Sequence, residues 1–253
     1  DADASGQADI AFHLGDLFVN QQFDRAVEYW EKGLQLARQL QNTELMNIFW
    51  ERLITYHQAQ DLFLQAIAYS QARITALQGR PELVSAHLEL AAVYEAAWRL
   101  KETLEQLPLA RQVMERFPEV DWWWEQLHAW HLEGNALLRM GRERDAASCY
   151  AKAFAAAAGT EETEATLHYD IGLNFLALEH FSTAEQHLKR AIELAKRTGF
   201  EELYWQAMGQ LAAMAYQQGE YQKALALHEQ ILPHERDSGN HYAYCASLNN
   251  LAA

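Results

Sequence analysis

Eleven histidines in 253 residues raise metal binding and proton transfer as the first chemistry to consider. His128 and His131 lie one helical turn apart, and His228, His234 and His241 follow toward the carboxyl end. The second group straddles an expected helix end, and neither brings the carboxylate or thiolate that would complete a coordination geometry. His234-Glu235 has no histidine three residues later, so the zinc-protease pattern fails. There is no glycine-rich phosphate loop and no Gly-x-Ser-x-Gly elbow. The acid pairs Glu161-Glu162 and Glu201-Glu202 fall at inter-unit turns, where carboxylates favour helix starts, and read as caps rather than catalysts. The expectation is a protein with no catalytic residues, no metal and no cofactor.

Aromatic chemistry remains. Trp122, Trp123 and Trp124 are consecutive, and on a helix each is rotated by about 100° from the last, so one packing face cannot bury all three. At least one is left for another surface.

The elements that must position these residues follow from composition and punctuation. Half of the chain is apolar, enough for a large core, and 20 basic against 35 acidic residues give a net charge of −15. That charge opposes phosphate backbones and anionic lipid, so neither nucleic acid nor membrane is an expected partner. Two distant cysteines, Cys149 and Cys245, point away from a disulfide framework and toward a reducing, cytoplasmic setting. No long uncharged apolar run occurs, and Asp1-Ala2-Asp3-Ala4 lacks the parts of a signal peptide. The missing initiator methionine reads as the mark of a fragment cut from a larger protein.

Only four prolines interrupt the chain. Pro81, Pro118 and Pro233 fall beside expected helix ends, and Pro108 falls inside a helix. Ala, Leu, Gln and Glu dominate, and apolar residues recur at three and four, so the fold class is all-α.

The helices are copies of one another. Leu14-Gly15-Asp16-Leu17-Phe18 with Ala26, Glu133-Gly134-Asn135-Ala136-Leu137 with Ala146, Ile171-Gly172-Leu173-Asn174-Phe175 with Ala184, and Leu211-Ala212-Ala213 with Ala224 can be superposed. Weaker copies carry Leu53-Ile54 with Ala66 and Leu90-Ala91 with Thr103. The small-residue marker recurs at 15, 54, 91, 134, 172, 212 and 252, a period close to 40.

This pattern resembles the tetratricopeptide repeat, in its long-period form as in kinesin light chains and the sensor arrays of bacterial signalling ATPases. The resemblance implies a right-handed superhelical solenoid of helix-turn-helix repeats. It forms one domain over 1–253, with six complete repeats and the first helix of a seventh. Ile54 in place of a small residue and Pro108 within a second helix predict looser or kinked packing in the second and third repeats.

In such an array the first helices line an inner groove. Counting along the fourth first helix puts Trp123, Leu127, Trp130, Gly134 and Leu137 on a packing stripe, and Trp124, His128, His131 and Asn135 on the adjacent groove stripe. Glu89 with Leu88 and Ala92, Tyr169 and Asp170, Gln206 and Gln210, and finally Asn249 and Asn250 continue it. An aromatic, amide and carboxylate lining suits a peptide or protein segment. A carboxylate clamp would need more than the inner-stripe candidates Arg52 and Arg139.

The expected function is a non-enzymatic interaction module that binds a peptide or protein in its groove. The alternative is the ligand-sensing part of a multidomain signalling ATPase or transcription regulator. His128 and His131 predict affinity changes between about pH 5.5 and 7.5. The uncapped helix from Tyr242 to Leu251 predicts self-association through an apolar strip.

Overall fold

The computed structural model describes residues 2–19, 23–157 and 159–237. Asn249, Asn250, His241 and the expected seventh first helix lie outside them.

The described residues form twelve α-helices in six consecutive pairs: α1 (Ala2–Phe18) and α2 (Phe23–Gln39), α3 (Thr43–Ala59) and α4 (Phe63–Ala76), α5 (Leu83–Ala96) and α6 (Leu100–Arg116). Then follow α7 (Trp123–Arg139) and α8 (Glu143–Ala156), α9 (Glu161–Ala177) and α10 (Phe181–Thr198), α11 (Glu201–Gln217) and α12 (Tyr221–Asp237). None is long and apolar enough to cross a membrane.

One turn geometry recurs between the two helices of the second to sixth pairs. Asp61, Trp98, Gly141, Glu179 and Gly219 sit in the left-handed region between the two helices of their pairs. At each, the following N–H reaches back five residues: Leu62 to His57, Arg99 to Tyr94, Arg142 to Leu137, His180 to Phe175 and Glu220 to Ala215, all at 2.8–2.9 Å. This is the Schellman closure, which satisfies carbonyls at a helix end. Gly199 and Gln41 close inter-repeat turns the same way, through Phe200 N–H to Ala195 and Asn42 N–H to Ala37.

Small residues permit the close approach. Ala26, Ala66, Ala146, Ala184 and Ala224 on second helices are all buried, as are Ala91 and Ala212 on first helices. A Cβ on Gly15 would lie 2.2 Å from the Trp30 indole nitrogen, and one on Gly172 would lie 3.0 Å from Leu188. Gly33, on a second helix, takes Phe49 against its backbone in the same way.

One local expectation changes. Pro233 lies inside α12 rather than at its end, so His228 and His234 share one helix. α6 runs through Pro108 without interruption, because only one ladder bond is lost in a 17-residue helix. Ile54 is fully buried and packs in the core with Phe49, Leu53 and Tyr94.

The chain divides into two compact units, Asp1–Ala136 and Leu137–Ala253. In the first, one cluster is built on Trp30, Phe49, Trp50 and Leu53, and a second on Leu83, Val84, Leu88 and Leu107. In the second unit, Leu188, Leu211 and Met214 pack together, as do Leu194 and Leu203.

Candidate functional site

Within the first unit, the first helices α3, α5 and α7 surround a cavity of about 430 Å³. Asn42 caps α3, its side chain accepting from the Leu45 N–H at 3.0 Å. α3 contributes Glu51, Arg52 and Thr55; α5 contributes Ser85, Leu88, Glu89 and Ala92; α7 contributes Trp124, Glu125 and His128. Arg73 reaches the same cavity from the second helix α4.

The tryptophan run resolves by position. The Trp122 indole N–H donates to the Phe117 carbonyl at 2.9 Å and anchors the start of α7. Trp123 and Trp124 meet edge to face at 5.6 Å and remain 42% and 49% exposed. Trp124 therefore presents an indole to the cavity, whereas Trp123 does not hold the packing position counted for it. Leu127, Gly134 and Leu137 are buried. Trp130 is half-buried, with the Arg111 guanidinium 3.8 Å from its ring centre.

Arg73 is the residue that stripe counting missed. Its side chain is 2% exposed, at the base of the cavity. Its Nε donates to Asn47 Oδ1 at 2.7 Å, its Nη1 to Glu89 Oε2 at 2.5 Å, and its Nη2 to Glu51 Oε1 and to Ser85 Oγ. Asn47 in turn donates to Glu51 Oε1 at 3.1 Å. A signal existed: Ala66, Ser70 and Arg73 share the buried stripe of α4, and a cation on such a stripe requires carboxylates from its neighbours.

Electrostatics separate the carboxylates. Burial pushes Glu89 up to about 7, against the pull of Arg73, with Glu51 adding to the rise. The Glu51 side chain is 47% exposed and solvated. Burial also lowers His128, and lowers His131 to about 4 with help from His128. His131 therefore stays neutral through the range in which it was expected to titrate, His128 is moved in the same direction, and Glu89 changes charge near neutrality.

The cavity gathers Trp124, His128 and Glu89 from the expected groove residues, with Leu88, Ala92 and Arg52 beside them. His131 and Asn135 lie further along α7, outside its lining, and Asn135 is buried. In the second unit, Tyr169 and Asp170 on α9 and Gln206 and Gln210 on α11 belong to helices in contact, and Gln210 hydrogen-bonds Tyr169. Arg139 donates to Asn174 Oδ1 at 2.9 Å from Nη2. Among the described residues no group of three or more metal-ligating side chains is assembled.

The fold is that of a tetratricopeptide-like helical repeat. No protein-family model and no curated protein sequence matches the chain. Solved structures do match. BtubC (BKLC) from P. vanneervenii aligns with a TM-score of 0.63 at 16% identity, over 87% of this chain and 93% of that one. A signal transduction ATPase with numerous domains and a tetratricopeptide repeat sensor, from Pyrococcus horikoshii, aligns with a TM-score of 0.63 at 15% identity, over 96% of this chain and 37% of that one. A Rap protein complexed with competence and sporulation factor gives a TM-score of 0.63 at 13% identity, over 100% of this chain and 85% of that one. At these identities the likeness is one of fold.

Proposed function

We propose that this chain is a non-enzymatic interaction module that holds an extended peptide or protein segment against its first helices. The cavity between α3, α5 and α7 is the anchoring point. One observation carries the reading: three successive first helices enclose a single cavity of about 430 Å³ whose mouth bears a half-exposed tryptophan. Concave sites lined by apolar surface with a few placed polar groups are where ligands bind, and tryptophan is prominent among residues that dominate binding energy. The solved Rap structure, complexed with a factor, supports the reading by analogy of fold.

Selection of displayed linear peptides on the full chain tests it. Trp124→Ala is expected to weaken selected peptides by roughly 2 kcal/mol, about 30-fold, with the thermal melt nearly unchanged. Peptides that bind Trp124→Ala as tightly as the parent would place the interaction elsewhere.

A further inference from the structure

Elsewhere in the first unit, guanidinium groups are held in one recurrent way, between an aromatic face and a carboxylate. Arg52 lies 5.2 Å from the Phe12 ring centre and pairs with Asp16 at 3.2 Å. Arg99 lies 4.8 Å from Tyr94 and pairs with Glu102 at 2.6 Å. Arg111 lies 3.8 Å from Trp130 and pairs with Glu133 at 2.6 Å. The cation's attraction to the ring and the charge-assisted hydrogen bonds to the carboxylate act together.

The cavity carries the accepting half of that arrangement. Trp124 supplies the aromatic face, and Glu51, Glu89 and Glu125 supply three carboxylates. Arg73 engages one oxygen of Glu89 and one of Glu51, leaving the second oxygen of each. The other cation in the lining, Arg52, is committed to Asp16 and Phe12. With Arg52 balanced by Asp16, the three carboxylates facing Arg73 leave the cavity two negative charges in excess once Glu89 is ionised, beside an indole face.

We infer that this cavity receives the guanidinium of an arginine side chain on the bound peptide, stacked on Trp124 and paired with Glu89 and Glu125. The inference rests on the proposed peptide-binding function and names what that site selects. Lysine is the weaker guest, since a compact ammonium neither stacks nor pairs bidentately.

The charge balance has a consequence for pH. Glu89 sits near 7 because burial disfavours its charged form. A cationic guest favours that form, so the guest binds better as pH rises from 6 to 8. The other charged groups lining the cavity are Glu51, Glu125, Arg73 and Arg52, and burial lowers the neighbouring His128.

The test uses N-acetyl-arginine amide and its uncharged isostere N-acetyl-citrulline amide as probes of the full chain. The indole N–H resonance of Trp124, assigned through Trp124→Phe, is followed by NMR. The arginine probe is expected to shift that resonance saturably at millimolar concentration, at least about tenfold more tightly than citrulline. Glu125→Gln, which lies outside the Arg73 network, is expected to weaken the arginine probe about fivefold; Glu89→Gln should remove the pH dependence. Equal shifts by both probes, or no shift by arginine at tens of millimolar, would overturn the inference. Peptides selected on the groove then separate the two proposals. Trp124-dependent binders lacking arginine would refute the guanidinium and leave the module intact, while binders indifferent to Trp124 would refute the groove itself.

Discussion

Replacing Arg73 by Met keeps the buried stem of the side chain and removes its guanidinium, isolating the polar network at the base of the cavity. The cost divides among its partners. Glu51 is 47% exposed and turns to water when released, so its pairing contributes at most about 1 kcal/mol. Asn47 is partly exposed and also reaches water, and the Ser85 hydroxyl keeps its bond to the Glu82 carbonyl. Glu89, 20% exposed, loses a charge-assisted bond worth about 1.5–3 kcal/mol. Glu89 also avoids the full penalty of a stranded charge by taking up a proton, which sets the total near 3 kcal/mol rather than at the upper end for broken buried pairs.

That escape makes the effect pH-dependent. Glu89 has a folded-state value near 7, above its unfolded value, so stability is lost as pH rises between the two and the cost is complete above about 7. Without Arg73 the folded value rises further, and the variant's penalty grows by up to about 1.4 kcal/mol per pH unit above 7. Urea unfolding at pH 6 and pH 8 is therefore expected to show a larger loss at pH 8. Hydrogen exchange should place the loosening in α3, α4 and α5 first, since a repeat chiefly contacts its neighbours. A loss below about 0.5 kcal/mol at both pH values, or one larger at pH 6, would refute this account of the network.

Other consequences can be checked separately. His131 is held to about 4 by burial, so the stability it contributes is complete above about 6.5 and is lost as pH falls toward 4; His131→Phe should flatten that acid slope by up to about 1.4 kcal/mol per unit in urea titrations. Gly15→Ala drives a Cβ into Trp30 and should cost about 1–3 kcal/mol or more, whereas Gly209→Ala, with nothing within 4 Å, should be neutral or stabilising by up to about 1 kcal/mol; chemical denaturation of the pair compares them directly. Glu179 is an exposed non-glycine in the left-handed region, so Glu179→Gly should raise stability by about 1 kcal/mol in the same assay.

The repeat period was legible because close packing is written in single residues. A Gly or Ala on most first helices and an Ala on most second helices recur at the period, and each small residue marks a place where helices touch. The groove stripe was legible in part by the same count: Leu88, Glu89, Ala92, Trp124 and His128 stand around one cavity. Arg73 was not, because groove counting followed first helices and Arg73 belongs to a second helix. Its role depends on two partner elements, α3 and α5, that converge on it only after folding. The histidine protonation states were not legible either, since burial sets them and sequence spacing does not report burial. Trp123 departs from its stripe because Trp122 and Asp121 fix the start of α7, the Asp121 carboxylate accepting the Trp123 N–H at 3.3 Å.

The uniform turns give the chain a modular grammar. In the second to sixth pairs the left-handed residue closes the first helix with the same five-back bond, so a block cut from one such turn to the next can be removed or duplicated and its ends rejoin like to like. Repeat number can then drift without a new loop being invented. The second and third repeats are the exception to that freedom. Arg73 binds Glu51 and Asn47 within its own pair and Glu89 and Ser85 in the next, so cutting between α4 and α5 separates a buried cation from half its partners. The segment carrying the cavity is inherited as one piece, while the rest of the array is free to lengthen or shorten around it.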